Sequence, residues 1–214
     1  MRSILFEYSY MVLYTITLIV GVFYYGKYKN YIWLRLWMYF LIYSLFTEII
    51  GYYFVNIKGL RFNLSNNLWG VISVLFYLGF FLSKLKLRKT RTLVKVLLLF
   101  FGIYSLIDFT FFNSLIYDLP SRGIILGSLF VVATFFVYLA ELLKSDAIFT
   151  FQKSLFFWIT IGVLIFYLGL LPVLVIAEMI VWQGIFKYIV LALNFSMNLC
   201  FIIGFVVSKK EFNN

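Results

Sequence analysis

Seven stretches of about 20 predominantly apolar residues follow one another along this 214-residue chain, separated by short polar or charged connections. A helix of about 20 residues spans the roughly 30 Å hydrocarbon core of a bilayer, and it satisfies its own backbone hydrogen bonds there. The pattern therefore predicts an all-α, polytopic membrane protein, a single seven-transmembrane-helix bundle over residues 1–214. The helices are expected near residues 4–25, 31–55, 68–82, 93–112, 123–143, 155–176 and 185–207.

The composition excludes an ordinary soluble domain. Hydrophobic residues make up 64% of the chain and charged residues only 12%. Soluble domains typically have about 45–50% apolar and about 25% charged residues. This chain has too little polar surface to face water on all sides.

The basic residues predict which way the helices point. If seven helices alternate in direction, 13 of the 18 Lys and Arg fall on one side of the membrane. Cytoplasmic connections are enriched in Lys and Arg, so we expect the N-terminus outside and the C-terminus in the cytoplasm. The basic side holds Lys27, Lys29, Arg35, Lys84, Lys86, Arg88, Lys89, Arg91, Lys95, Lys144, Lys153, Lys209 and Lys210.

The connection from Lys84 to Lys95 is the most basic part of the chain. Its expected contacts are anionic lipid or an acidic partner protein. The candidate contact residues are Lys84, Lys86, Arg88, Lys89 and Arg91. Although the net charge is +10, the cations lie between apolar runs, which argues for membrane topology and against nucleic-acid binding.

The residue inventory limits the available chemistry. The chain has no histidine and one cysteine, Cys200, which lies inside an apolar run. Imidazole metal ligands, His-dependent nucleophiles and internal disulfides are therefore excluded. The sequence predicts no cofactor, no metal site and no catalytic residue, and it argues against an enzyme.

Acidic residues inside apolar helices mark the candidate site. An intramembrane carboxylate is costly, so it is expected to face the bundle interior, water or a partner. In the predicted topology, Glu7, Glu48 and Asp108 share the outer half of the membrane. Residues three or four positions apart on a helix share its face, which extends these acids into polar stripes. The predicted outward-facing polar pocket comprises Glu7, Tyr14, Glu48, Tyr52, Tyr104, Asp108, Lys187, Asn194 and Asn198. Alternatively, these groups hydrogen-bond helix to helix and serve packing alone.

Two further features concern helix packing. Gly123 and Gly127 form a small-x-x-x-small face, a pattern typical of close helix contacts, and they are the candidate contact for a homo-oligomer. Pro172 removes one backbone hydrogen bond from the sixth helix, so a bend is expected there.

A resemblance adds to this interpretation. The stretch from Lys153 to Gly169 (KSLFFWITIGVLIFYLG), preceded by Glu141-Leu-Leu-Lys144 and followed by Asn194-Phe-Ser-Met-Asn198, resembles a family of uncharacterised bacterial seven-helix membrane proteins. The resemblance implies short connections, an association with two-component signalling proteins such as sensor kinases, and a role in receiving signals at the membrane. It brings no catalytic motif.

Three functions remain open from the sequence. The leading hypothesis is a sensory or signalling module that binds a small ligand in the outward pocket, or reports membrane state, and acts through a partner protein. The alternative is a small-molecule transporter or permease subunit that uses the carboxylates as proton or cation sites. The third is an intramembrane lipid-modifying enzyme that uses Glu48 and Asp108, although no nucleophile or metal ligand set accompanies them.

Overall fold

The computed structural model describes residues 2–60, 62–117, 121–145, 150–179 and 184–213, without the side chains of residues 2–7, 121 and 177–179. Seven helices account for most of these residues, and no strand occurs in the described ranges, which confirms the predicted all-α fold. The helices are α1 (Arg2–Phe23), α2 (Ile32–Tyr52), α3 (Leu64–Leu82), α4 (Arg88–Ile107), α5 (Ser121–Leu143), α6 (Leu155–Met179) and α7 (Gly184–Val207).

The surface and the interior are those of a protein in lipid. Six helices, α2 to α7, are long and apolar enough to cross a membrane. Large apolar side chains are exposed, for example Phe23 at 81% and Leu106 at 71%, whereas Thr17 and Asn198 are fully buried. Exposed apolar side chains are expected where hydrocarbon is the solvent, and the interior combines a large apolar core with buried polar groups. The architecture is that of an integral, multi-pass membrane protein.

The third helix begins earlier than its hydropathy predicts, at Leu64 rather than near residue 68. The side-chain amides of Asn63 and Asn67 donate to the carbonyl oxygens of Tyr117 and Leu115, each at 2.8 Å. These bonds join the start of α3 to the connection after α4. Hydropathy averaged over a sequence window registers only the polar residues at this end of α3, so it places the start of the helix too late.

The fourth helix also begins earlier, at Arg88 rather than near residue 93. Most of the predicted basic connection is therefore the first two turns of a helix. Arg and Lys are good helix formers, and the Glu141 carboxylate on α5 accepts hydrogen bonds from the backbone N–H of Lys86 at 2.8 Å and from the Thr90 hydroxyl. A carboxylate at this end of a helix satisfies free backbone donors and complements the helix dipole.

Six of the helices form a closed ring in the order α1, α2, α3, α5, α6, α7 and back to α1. The remaining helix, α4, packs mainly against α3 and α5. Because α3 and α5 also contact each other, α4 lies on the outside of the ring. This position separates the polar residues of α4 from those of α1, α2 and α7.

The contact between α6 and α7 depends on glycines. A Cβ built on Gly162 would lie 2.9 Å from the backbone carbonyl oxygen of Met197, and one on Gly204 would lie 2.6 Å from Trp158 Cβ. Small residues let two helix backbones approach closely enough for extensive van der Waals contact. The α6 helix is continuous through Pro172, from Leu155 to Met179.

The two glycines predicted to contact a second copy of the chain lie inside the helix bundle. Gly123 and Gly127 are both buried, and a Cβ on Gly127 would lie 2.7 Å from Val74 Cγ2 and 2.9 Å from the Phe101 ring. These glycines allow α5 to approach α3 and α4. The glycine pair is explained without a second copy of the chain, and a homo-oligomer stays a prediction.

Candidate functional site

A hydrogen bond between fully buried side chains joins α1 to α7. The Thr17 hydroxyl donates to Asn198 Oδ1 at 2.7 Å. The Asn198 amide in turn donates to the Asn194 carbonyl oxygen at 2.9 Å, and Asn194 is also buried. Thr17 and Asn198 each lie roughly 9 to 14 Å from the predicted cytoplasmic end of their helix. The polar face of α7 predicted from its two asparagines therefore faces the bundle interior.

Two more hydrogen bonds extend the buried polar groups to other helices. The Tyr167 hydroxyl on α6 donates to Ser73 Oγ on α3 at 2.9 Å. Trp69 Nε1, one turn earlier on α3, donates to Ser44 Oγ on α2 at 3.0 Å. Every helix of the ring except α5 thus contributes a polar group to an interhelical bond in the core.

Glu48 lies beside this core. Its side chain is half-buried on α2, within electrostatic range of the buried Tyr14 on α1, and Tyr10 is close to Tyr14 as well. Glu48 is roughly 24 Å along the helix from Ile32, in the outer half of the membrane if α2 begins in the cytoplasm. The structure thus brings Tyr14 and Glu48 of the predicted pocket together.

Tyr52 lies one turn beyond Glu48, at the C-terminal end of α2. Its hydroxyl is 3.0 Å from the Tyr8 hydroxyl, and the two rings pack with their centroids 5.1 Å apart. This pair joins the N-terminal part of α1 to the C-terminal end of α2, which is the predicted outer side. Tyr52 serves a contact between neighbouring helices at a more exposed level than Tyr14.

Asp108 and Tyr104 lie elsewhere. Asp108 is buried where α4 widens into a π-type turn (Asp108–Phe112), and it accepts a hydrogen bond from Asn113 Nδ2 at 2.9 Å. With Tyr104, Asn67, Gly70 and others it lines a cavity of only about 10 Å³, about the size of one water probe. The cavity walls come from α3, α4 and α5, so the structure places Asp108 and Glu48 at different helix interfaces.

The remaining members of the predicted pocket are at or beyond the rim. Lys187 is exposed in the first turn of α7. Glu7 lies in α1, but its side chain is outside the described residues. Of the nine predicted residues, the structure therefore brings Tyr14 and Glu48 together but places Tyr104 and Asp108 in a separate cavity. No group of three or more acidic or thiol metal ligands comes together within the described ranges.

An apolar groove lies between α1 and α7. Its volume is about 640 Å³, within the range of small-molecule sites. The groove lies toward the N-terminal end of both helices, which is the predicted outer end, and on α1 it ends at Leu13, one turn before Thr17. Its walls are Tyr8, Ser9, Val12, Leu13, Tyr188, Leu191, Ala192, Phe195 and Ser196.

Sequence reasoning missed several of these residues. Trp69, Ser73 and Tyr77 are spaced four apart on α3, the same signal that marked the stripes on α1 and α2. Tyr167 gave no such signal, because its neighbours on the same face are apolar. The groove gave none either, since its lining resembles any lipid-facing surface.

The opposite end of the bundle is closed by side-chain to backbone contacts. Lys27 Nζ donates to the carbonyl oxygens of Phe205 and Val206, at 2.9 and 2.8 Å, and so caps the C-terminus of α7. The buried Asn213 accepts from the Leu155 backbone N–H at 2.7 Å and donates to the Lys27 carbonyl oxygen at 3.0 Å. These bonds tie together the α1–α2 connection, the start of α6 and the C-terminal segment.

Burial affects two lysines at this end. Desolvation lowers the pKa of Lys27, and desolvation together with the nearby charge of Lys86 lowers the pKa of Lys84. Lys84 Nζ lies 5.4 Å from the centroid of the Phe156 ring, over its face. Lys84 lines a cavity of about 310 Å³ whose wall also includes Glu141. Lys27 does not line this cavity and is bound instead to the C-terminus of α7.

The structure thus has buried polar groups midway along the bundle, an apolar groove toward one end and, at the other end, side-chain to backbone contacts beside a cavity of about 310 Å³. Comparison with protein-family models, with curated proteins and with solved structures finds no match.

Proposed function

We propose that this chain is a seven-helix signalling protein of the bacterial inner membrane that binds a membrane-dissolved amphiphile between α1 and α7. The observation that carries the proposal is the position of the groove. It opens between the same two helices that the Thr17–Asn198 bond joins one turn deeper.

The lining of the groove indicates the class of ligand. Val12, Leu13, Leu191 and Phe195 suit an acyl or other apolar body. Hydroxyls from Tyr8, Ser9 and Ser196 are available for one or two polar groups. Because the groove faces the lipid side of α1 and α7, a ligand dissolved in the bilayer can enter sideways without crossing water.

Ligand binding in the groove can change the contacts at the predicted cytoplasmic rim. A ligand that wedges α1 from α7 strains the Thr17–Asn198 bond, and both helices then run to the rim where Lys27 caps α7. Packed helices joined at two points respond as stiff elements, so a shift at one end biases contacts at the other. We expect the hydrogen bonds of Asn213 at the rim to break when the ligand binds.

The topology completes the proposal. With α1 as a seventh crossing, the N-terminus is outside and the C-terminus is in the cytoplasm, as the distribution of cations favours. The signal then leaves through a separate cytoplasmic or membrane partner. The resemblance to proteins associated with two-component systems favours a sensor kinase.

The test uses a photoactivatable diazirine fatty acid as the probe. Wild-type protein in nanodiscs is expected to be labelled on α1 and α7, and Ala192→Phe, which fills the groove, is expected to reduce labelling at least fivefold. Ala140→Phe is the matched control, because Ala140 is exposed on α5 and does not line the groove. Hydrogen exchange is followed at the Leu155 and Lys209 amides, which are bonded at the rim.

Occupancy by the probe is expected to speed exchange at these two amides in wild type and in Ala140→Phe, but not in Ala192→Phe. Equal labelling of the two variants would remove the groove as a site. Labelling of the groove with unchanged exchange at the rim would leave a lipid-binding site and contradict the signalling proposal.

A cation-coupled transporter is the second candidate, because Glu48 is half-buried beside the core next to Tyr14. Substrate uptake into proteoliposomes that is driven by a pH gradient and abolished in Glu48→Gln would favour it over the sensor. Asp108→Asn is the control carboxylate, since it lies at a different helix interface.

A further inference from the structure

The start of α4 is the most basic exposed surface among the described residues. Arg88, Lys89, Arg91 and Lys95 are all exposed and lie within about two turns, roughly 10 Å along the helix. Lys86, just before the helix, is exposed as well. This surface does not depend on the ligand groove or on the signalling proposal.

The helix itself does not neutralise these charges. Cations at the N-terminal end of a helix oppose its dipole, which favours acids there. The carboxylate that contacts this segment, Glu141, accepts from the backbone N–H of Lys86 and from the Thr90 hydroxyl. Within the described ranges, no ion pair is formed by the side chains of the four cations on the helix. Their exposed charges are therefore available to an external anion.

The face of the helix indicates where that anion is. Arg88 and Lys95 lie on one stripe with Leu99 and Leu106, which are 62% and 71% exposed. The buried residues Val94 and Phe101 are on the opposite face, toward α3 and α5. The cations therefore lie at the N-terminal end of the lipid-facing side of α4 and not on the side that packs against the bundle.

We propose that the first two turns of α4 bind the anionic headgroups of the adjoining lipid leaflet, so that this outer helix is anchored to acidic lipid. A Lys or Arg near an anionic membrane surface contributes about fivefold in affinity. An acidic protein segment is a less suitable occupant, because it would have to approach from the side that the bilayer already covers.

The experiment measures which lipids the full-length protein retains. Protein in mild detergent is mixed with equal amounts of phosphatidylglycerol and phosphatidylcholine, and bound lipids are counted by native mass spectrometry. Wild type is expected to retain phosphatidylglycerol in excess. The variant R88Q/K89Q/R91Q/K95Q is expected to lose that preference at least tenfold.

The matched control is K29Q/K144Q/K209Q/K210Q, which removes four exposed cations from the same predicted side of the membrane. It is expected to keep the preference. R88K/R91K keeps the charge and is expected to behave as wild type. If the quadruple α4 variant fails to insert, the wild-type preference is measured from 50 to 500 mM salt, where screening is expected to abolish it.

Three results would overturn the proposal. They are equal lipid retention by the α4 variant and wild type, an equal loss in the control variant, and a preference that is indifferent to salt. Unchanged lipid retention together with loss of a co-purifying protein from the α4 variant would instead assign this surface to a protein partner.

Discussion

Single residues in this protein use hydrogen bonds where a soluble protein would use apolar packing. Thr17 and Asn198 are fully buried, yet each makes an interhelical bond, and Tyr167 reaches Ser73 in the same way. In hydrocarbon there is no water to satisfy a polar group, although such bonds contribute only about 0.6 kcal/mol each on average. Their main effect is to select which helix faces meet.

Lys84 is a cation held partly away from water at the end of α3. Its lowered pKa means that the folded protein holds this proton less tightly than the unfolded chain does. The free energy of unfolding therefore rises as pH climbs through the lowered pKa toward the ordinary value of 10.5, and is level above it.

We expect Lys84→Met to unfold at a higher temperature than wild type at pH 8, and to gain less stability than wild type on going to pH 10.5. Thermal unfolding in detergent across this range is the measurement. Lys89→Met, at an exposed cation in the first turn of α4, is the control. If Lys84→Met gained as much stability as wild type between these two pH values, burial would not be destabilising the charged form of Lys84.

At the scale of elements, the helices differ in how firmly they are held. The α6–α7 pair has the most extensive contact in the bundle, and its glycines remove the side chains that would keep the backbones apart. The outer helix α4 packs less extensively against its two neighbours, α3 and α5, and exposes large apolar side chains such as Leu99 and Leu106. Its attachment depends more on its ends: Glu141 bonds to Lys86 and Thr90 at one end, and at the other Asn63 and Asn67 bond to the connection that follows α4.

We expect Gly162→Ala to destabilise the protein by about 1–3 kcal/mol, because the new methyl group would press on the Met197 backbone and force α6 and α7 apart. Gly102→Ala on α4 is the matched control. A Cβ there would meet only Leu75 Cδ2 at 4.0 Å, so we expect a neutral effect or a gain of up to about 1 kcal/mol from helix propensity.

The free energies of unfolding of both variants are measured by thermal or denaturant unfolding in the same detergent. Equal changes in the two variants would mean that the α6–α7 backbones have room to accommodate a methyl group.

At the scale of the whole molecule, the two ends of the bundle have different characters. The predicted outer half has the Tyr8–Tyr52 pair and the open groove, whereas the predicted inner half is closed by Lys27, Asn213 and Glu141. A groove at one end and interhelical hydrogen bonds at the other suit the proposal that a ligand binds at one end and changes contacts at the other.

Reporter fusions test the orientation on which this depends. A C-terminal fluorescent protein is expected to fold and fluoresce, as it does only in the cytoplasm. A cysteine added before Arg2 in a Cys200→Ser background is expected to react with a membrane-impermeant maleimide added to intact spheroplasts. Finding both ends in one compartment would contradict seven crossings.

Some features of the site were predictable because they depend on short stretches of chain. Asn194 and Asn198 are four residues apart, so a shared face follows from helix geometry, and the structure places both in the interior. Tyr14 and Glu48 were selected as polar groups in apolar helices, a local property. Their meeting required α1 and α2 to be adjacent, which a short connection favours.

The sequence by itself determined the all-helical fold, the approximate positions of the helices and the sorting of cations between the two ends. Hydropathy and charge act locally, so they can be summed along a window of the chain. Only the tertiary structure decided that α4 lies outside the ring, which separates Asp108 from Glu48, and that Gly127 faces Val74 and Phe101. The same holds for the groove and for the Asn213 contacts at the rim. These depend on which faces of distant helices meet, and in lipid that choice is made by close packing and buried hydrogen bonds, not by hydrophobicity.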